Sequence, residues 1–218
     1  MLDGKVVLDM GSGTGMLAIE MEIRRQRGEE PVAKRVDSLN ARYAHPQYKY
    51  QHWFLVLREK FGKSMGVAEI RNAIHTAKKH FLALDWNDLS AIPDETYDVI
   101  CAVFSFPAYG DFIETKHKNM LDKGVVTVKW GPRSQNTFGH LTRILAKGGF
   151  MDLDVEWSLR AWTNTSPEVR NKIQDFFASR GCTLQLRAGA DVGLNVEAPR
   201  DEAAPEDYSM ILTISKAA

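Results

Sequence analysis

The sequence predicts an α/β fold in which a mainly parallel β-sheet carries helices on both faces. Three observations predict it: short apolar runs suit buried strands, amphipathic helical patterns alternate with them, and glycines or prolines separate the two. Strands that alternate with helices form parallel sheets, because each helix carries the chain back across the sheet. From the length of 218 residues we expect a single domain over 1–218, with insertions at 38–66 and 106–140.

The composition suits a soluble protein without a general affinity for nucleic acid. Twenty-eight Lys and Arg residues balance twenty-eight Asp and Glu residues, so the chain lacks an overall positive field. No apolar run reaches the length of about twenty residues that spans a bilayer, and the first residues lack a signal-peptide core. Cys101 and Cys182 have no metal-ligand spacing and are expected to be reduced and buried. We therefore expect a cytoplasmic protein with no membrane partner and no metal.

The first half of the chain opens with a strand, a glycine turn and a helix. In chain order, the patterns predict a strand over 5–10, a helix over 14–25, a weak strand over 31–36 that ends at Asp37, and helices over 48–60 and 67–79. An alternative places a strand over 65–68 that ends at Glu69. His75, His80 and His117 are expected on helix surfaces or in solvent.

The second half has a clearer pattern. It predicts strands over 81–85 and 97–104, an extra strand over 124–130, a helix over 137–145, a strand over 150–155, a helix to 180, and closing strands over 182–187 and 208–215. The helix that ends at 180 has a strong start signal, because Ser166 suits the N-cap and Pro167 the first helical position.

The run Val7-Leu8-Asp9-Met10-Gly11-Ser12-Gly13-Thr14-Gly15 carries the most chemistry. Alternating glycines let the backbone turn tightly and let a ligand approach the main chain. The helix that follows presents unpaired N–H groups and the positive end of its dipole to such a ligand. The dinucleotide fingerprint G-x-G-x-x-G fails here, because its third glycine would fall at Met16.

This run resembles the first motif of class I S-adenosylmethionine-dependent methyltransferases, hydrophobic-hydrophobic-D-x-G-x-G-x-G. Three further stretches are similar to motifs of that family and follow in its order: Leu84-Asp85-Trp86, Ile92-Pro93-Asp94-Glu95-Thr96-Tyr97-Asp98-Val99-Ile100 and Arg143-Ile144-Leu145-Ala146-Lys147-Gly148-Gly149. In the last of these, Ala146-Lys147 stands where Lys-Pro is usual. The resemblance implies a Rossmann-like, seven-stranded, mostly parallel sheet with an antiparallel final strand, and S-adenosylmethionine as the cofactor.

The resemblance also implies a set of cofactor-binding residues. Asp9, Gly11, Ser12, Gly13 and Gly15 would surround the methionine part of the cofactor, Asp85 would accept a hydrogen bond from the adenine amino group, Trp86 would back the ring, and Val103 would begin the segment facing the acceptor. The family also places an acidic residue against the ribose. Asp37 suits this role by its spacing from Gly28, whereas Glu69 suits it by its local sequence, and both remain candidates.

The resemblance leaves the methyl acceptor open, and we expect a small molecule that is methylated on oxygen or nitrogen. Tyr109 and His140 are the candidates for a general base, and aromatic residues such as Trp130 could face a flat or cationic acceptor. The N-P-P-Y motif of amino-group methylation is out of register, because Val103 takes the Asn position. The alternatives are an RNA- or protein-directed enzyme, favoured by a basic rim at Lys116, Lys118, Lys123, Lys129 and Arg133, and a non-catalytic binding subunit. The chain could also work beside a partner subunit or as a homodimer.

Overall fold

The computed structural model describes residues 2–10, 15–30, 33–39, 57–59, 65–102, 113–116, 125–188 and 209–218. These residues fall into two compact units, Met1–Leu84 and Asp85–Ala218. The predicted helix over 48–60 lies outside the described residues apart from 57–59, which are helical.

The first unit is built on a strand followed by a helix, as the sequence predicts. Its elements are strand β1 (Val6–Asp9), helix α1 (Met16–Gln26), strand β2 (Arg35–Leu39), helix α2 (Val67–Ala77), a short 3₁₀ turn (Lys78–His80) and strand β3 (Phe81–Leu82). The three strands are parallel, and β2 lies between the other two. α1 packs against α2 and β2, and both helices bury apolar side chains such as Ile19 and Ile74.

Two predictions for this unit need correction. The second strand begins at Arg35 and continues past Asp37 to Leu39, so Asp37 lies inside the strand instead of ending it. The alternative strand over 65–68 is wrong, because α2 starts at Val67. Its apolar residues recur at helical spacing, and Ile70, Ala73, Ile74 and Ala77 form one buried face.

The second unit pairs parallel and antiparallel strands. Its elements are β4 (Tyr97–Ala102), β5 (Ile113–Lys116), β6 (Val125–Val128), α3 (Pro132–Ile144), β7 (Leu145–Ser158), α4 (Leu159–Asn164), α5 (Pro167–Ala178), β8 (Cys182–Ala188) and β9 (Ser209–Lys216). β4 is parallel to β7, while β9 runs antiparallel to both β7 and β8. β5 and β6 form a separate antiparallel pair. β5 and α4 were not expected from the sequence, and α3 begins five positions before the predicted start.

The seven main strands have the order β3-β2-β1-β4-β7-β9-β8 in one sheet. This confirms the predicted Rossmann-like fold class: a mostly parallel seven-stranded sheet whose final strand is antiparallel. The predicted N-cap is also confirmed, because the Ser166 hydroxyl accepts a hydrogen bond from the backbone N–H of Val169 at 3.4 Å. Both cysteines are free thiols; Cys182 is buried, and Cys101 is partly exposed.

Replacing Ser38 by alanine is expected to raise the stability of the protein. Its side chain is fully buried in β2, and its hydroxyl has no hydrogen-bond partner among the described residues. Because a buried hydroxyl without a partner has lost its hydration, we expect Ser38→Ala to raise the free energy of unfolding by about 1 kcal/mol in urea titrations.

Thr165 provides the matched contrast for Ser38. Its buried hydroxyl donates to the Ala161 carbonyl at 2.7 Å and accepts from the Val128 N–H at 2.8 Å. Thr165→Val should therefore lower the free energy of unfolding by about 1–2 kcal/mol, because it strands a backbone donor. Equal destabilisation by both substitutions would contradict the account of Ser38.

Candidate functional site

The glycine turn joins β1 to α1, and the structure describes its two ends. Asp9 is the last residue of β1, and Gly15 is the N-cap of α1 with φ +73° and ψ +27°. This left-handed conformation strains most residues with a Cβ atom, so glycine is favoured there. Among the described residues, no side chain caps this helix start, and the first turn of α1 carries no acidic residue. The positive end of the α1 dipole therefore suits a carboxylate or another anion. Gly11, Ser12 and Gly13 lie outside the described residues.

Asp37 aligns with Leu8 in the parallel pair of β1 and β2. It therefore lies one position before the carboxyl end of the paired region, where Asp9 aligns with Ser38. Its side chain is 11% exposed, and each carboxylate oxygen has a partner: Arg35 Nε lies 3.1 Å from Oδ2 and His80 Nδ1 lies 3.0 Å from Oδ1. The His80 contact is a hydrogen bond, and the Arg35 contact is an ion pair. A carboxylate oxygen has two lone pairs, so each oxygen can accept a further hydrogen bond from a ribose hydroxyl.

Glu69 lies in the first turn of α2, where its carboxylate accepts a hydrogen bond from Arg27 Nε at 2.7 Å. That hydrogen bond lowers the pKa of Glu69. Arg27 is the C-cap of α1, at the opposite end of this eleven-residue helix from Gly15. An α-helix of that length spans about 16 Å. The geometry therefore favours Asp37 over Glu69 as the acidic residue near the glycine turn.

His80 was expected on the surface, yet its side chain is only 17% exposed and contacts Asp37. The two residues are 43 positions apart in sequence, so no local pattern could have revealed the pair. His80 reaches Asp37 because β3, which follows it directly, pairs with β2.

In the second unit, Asp85 begins a loop that runs to β4. The predicted strand over 81–85 is shorter in the structure and ends at Leu82, so Asp85 follows it by three positions. Asp85 is exposed, and its Oδ1 accepts two hydrogen bonds from Asn87, one from the backbone N–H at 2.9 Å and one from Nδ2 at 3.1 Å. Oδ2 takes part in neither bond. Asp85 is therefore a turn carboxylate that keeps one oxygen available as an acceptor.

Helix α3 holds this loop at two places. At the helix start, Thr137 Oγ1 and Arg133 Nε donate to Asn87 Oδ1 at 2.9 and 3.3 Å, and the Asn136 amide donates to the Asn87 carbonyl. Near the helix end, Arg143 donates to the carbonyls of two further loop residues. From the sequence, Arg143 was placed in a family-like motif, but Asn87 was missed. The contact of Asn87 is with a helix residue fifty positions away, and no local sequence pattern indicates it.

The remaining predicted site residues are only partly described. Trp86 is half-buried in the same loop, whereas Val103 and Tyr109 lie outside the described residues. His140 is half-buried on α3. Hydrogen bonds from Ser90 lower the pKa of the Asp88 carboxyl, and nearby His140 lowers it further. Among the described residues, no three His, Cys, Asp or Glu side chains are grouped to hold a metal ion.

Trp130 belongs to an aromatic cluster. Its ring lies 5.7 Å from Phe138 on α3 and 5.1 and 6.2 Å from Phe176 and Phe177 on α5, measured between ring centroids. Phe138 and Phe177 are fully buried. Edge-to-face contacts at these distances stabilise the packing of α3 against α5.

No protein-family model and no curated protein sequence matches the chain. Among solved structures, the chain is similar to the complex between the Haloferax volcanii Trm112 methyltransferase activator and the predicted methyltransferase, with 15% identity, 99% of this chain and 83% of that chain covered, and a TM-score of 0.47. It is also similar to the aminoglycoside resistance methyltransferase NpmB1, with 11% identity, 98% and 87% coverage, and a TM-score of 0.47. A third is the YcgJ protein from Bacillus subtilis, with 12% identity, 99% and 93% coverage, and a TM-score of 0.46. At these identities the similarity concerns the fold alone.

Within the described residues, none of the helices combines the length and the apolarity that a membrane crossing requires.

Proposed function

We propose that this protein is an S-adenosylmethionine-dependent methyltransferase. The observation that carries the proposal is the junction of β1 and α1: β1 ends at Asp9, and α1 has left-handed Gly15 as its N-cap, with no side-chain cap from the residues that the structure describes. This arrangement suits a ligand that approaches the backbone closely and presents an anionic group to the helix. The methionine part of the cofactor carries such a carboxylate.

The proposal gives each candidate residue a role toward the cofactor. Asp37 would accept hydrogen bonds from the ribose hydroxyls, and the methionine part would lie against Asp9, Gly11, Ser12, Gly13 and Gly15. Asp85 and Trp86 would bind the adenine, and Val103 would face the acceptor. The left-handed turn at Gly15 and the available Oδ2 of Asp85 fit this cofactor.

When bound, S-adenosylmethionine supplies a methyl group on a sulfonium: the lone pair of the acceptor would bond to the methyl carbon in line as the carbon–sulfur bond breaks and S-adenosylhomocysteine leaves. The protein then needs to align the acceptor and exclude water, with a general base only where the acceptor holds a proton at neutral pH. We propose a small-molecule acceptor with an oxygen or nitrogen nucleophile, with Tyr109 or His140 as the base. We further propose a cytoplasmic location, and a partner subunit or a second copy where the acceptor site needs one.

The test is calorimetric titration of the purified protein with S-adenosylmethionine and S-adenosylhomocysteine. We expect micromolar binding that Gly13→Arg abolishes and that Asp85→Ala weakens about tenfold or more, because a hydrogen bond to a charged group is worth about 1.5–3 kcal/mol. Asp175→Asn, which removes an exposed carboxylate on α5, is the charge control and should leave the affinity unchanged.

A second pair of variants decides between the two ribose candidates. Asp37→Asn should weaken binding, whereas Glu69→Gln should not, because Glu69 pairs with Arg27 at the far end of α1. The reverse result would exchange the two assignments. A folded wild-type protein that binds neither ligand would rule out the proposed function for the chain alone.

A further inference from the structure

The conformation of Asp85 depends on a second residue, Asn87. The Asn87 side-chain amide donates to Asp85 Oδ1 through Nδ2 and accepts from Thr137 and Arg133 through Oδ1. Chemistry allows only this orientation of the amide, because a carboxylate accepts and the Arg133 Nε–H donates. Asn87 is thus a bridge between the exposed carboxylate and helix α3.

Of the three α3 residues that contact Asn87, Thr137 is buried, whereas Arg133 and Asn136 are exposed. Thr137 is 2% exposed, and its hydroxyl donates to Asn87 Oδ1 at 2.9 Å. The Asn136 side chain also donates to the Asn87 carbonyl. The side chain and the backbone of Asn87 are therefore both anchored to the first turns of α3, and the position of Asp85 Oδ1 follows from that anchoring.

The hydrogen bonds from Asn87 fix the orientation of the Asp85 carboxylate before a ligand binds. An exposed Asp side chain normally samples several rotamers, and ordering it on binding weakens the affinity. Here Oδ1 is already bound twice by Asn87, which leaves Oδ2 in a defined direction as an acceptor. A carboxylate oxygen in a fixed orientation binds a ligand with an N–H donor at that place more tightly than a ligand with an oxygen acceptor there.

We propose that Asn87 is a positioning residue, which with Thr137 orients the Asp85 carboxylate toward the exocyclic amino group of adenine and so sets the preference for adenine. The proposal rests on the proposed cofactor site and assigns its base specificity to a relay that runs from α3 through Asn87 to Asp85.

The experiment compares S-adenosylhomocysteine, whose base carries the exocyclic amino group and an unprotonated N1, with S-inosylhomocysteine, whose base carries an oxygen in place of the amino group and a proton on N1. The wild-type protein should bind the adenine compound about tenfold or more tightly. Asn87→Ala and Thr137→Val should each lower this ratio about fivefold or more, whereas Thr137→Ser, which keeps the hydroxyl, should retain it.

Thr142→Val is the matched control, because Thr142 is a buried threonine on the same helix whose hydroxyl, among the described residues, donates to the α3 carbonyls of Phe138 and Gly139 alone. It should leave the ratio unchanged. Thermal melts report whether each variant is folded.

A merely structural role predicts a different result, in which both ligands bind more weakly and the ratio is kept. That outcome would overturn the positioning role of Asn87 while the cofactor site stands. A wild-type protein that binds both ligands equally would overturn the Asp85–adenine contact together with the relay. A wild-type protein that binds neither ligand would overturn the proposed function itself, and the relay with it.

Discussion

Gly149→Ala is expected to lower the free energy of unfolding by about 3 kcal/mol or more, because an alanine Cβ at this position would enter an occupied space. A Cβ built on Gly149 would lie 2.7 Å from the Asp98 carbonyl oxygen and 2.8 Å from that of Ala146. Both atoms belong to the backbone, so neither can move away as a flexible side chain would. The residue lies where the register between β4 and β7 shifts, and this shift brings the two backbones together.

Gly139→Ala is the control for this prediction. Gly139 lies inside α3, and a Cβ there would meet no atom within 4 Å. Alanine is a better helix former than glycine, so Gly139→Ala should raise the free energy of unfolding by about 0.5–1 kcal/mol. Urea unfolding of both variants checks the pair. Equal and small effects would show that β4 and β7 are further apart at Gly149 than the structure has them.

Arg143→Met is expected to lower the free energy of unfolding by about 2–4 kcal/mol, because it leaves several loop acceptors without their donor. Arg143 donates to the Leu89 and Ile92 carbonyls, each at 2.8 Å, and pairs with Asp94. Its own carbonyl accepts the Glu95 N–H at 3.0 Å. The planar guanidinium serves three acceptors at once, so Arg143→Lys should recover only part of the loss.

Arg71→Met on the exposed side of α2 is the control for Arg143 and should change stability by less than about 0.5 kcal/mol. Hydrogen exchange locates the effect: amides of residues 85–96 should exchange faster in Arg143→Met, while those of β8 and β9 keep their protection. Because Asp85 lies in this loop, we also expect weaker binding of S-adenosylhomocysteine. Uniform loss of protection across the chain would instead make Arg143 a general contributor to stability.

Much of the fold could be predicted from the sequence because its signals are local. The glycine turn after Asp9, the Ser166 cap and the apolar spacing of the main strands and helices each involve residues within a few positions of one another. The short elements were harder. β3 has only two residues, and the bounds of β2 depend on its pairing with β1 and β3, which no pattern within the strand reveals.

The sequence pointed to candidate site residues but not to the contacts that they make. Asp85 was singled out by its motif. The sequence did not indicate that Asn87 donates to Asp85, or that Thr137, fifty positions further on, donates to Asn87. The contact of His80 with Asp37 likewise requires the parallel pairing of β2 and β3.

The sequence by itself predicted the main strands and helices other than β5 and α4, and the cap at Ser166, because capping and hydrophobic periodicity act within a few positions. Only the tertiary structure decided that Asp37 aligns with Leu8 while Glu69 pairs with Arg27, that Asn87 bridges Asp85 to α3, and that Gly149 lies close to the backbone at Asp98. These outcomes depend on strand register and helix packing, which bring distant residues to within a few ångströms.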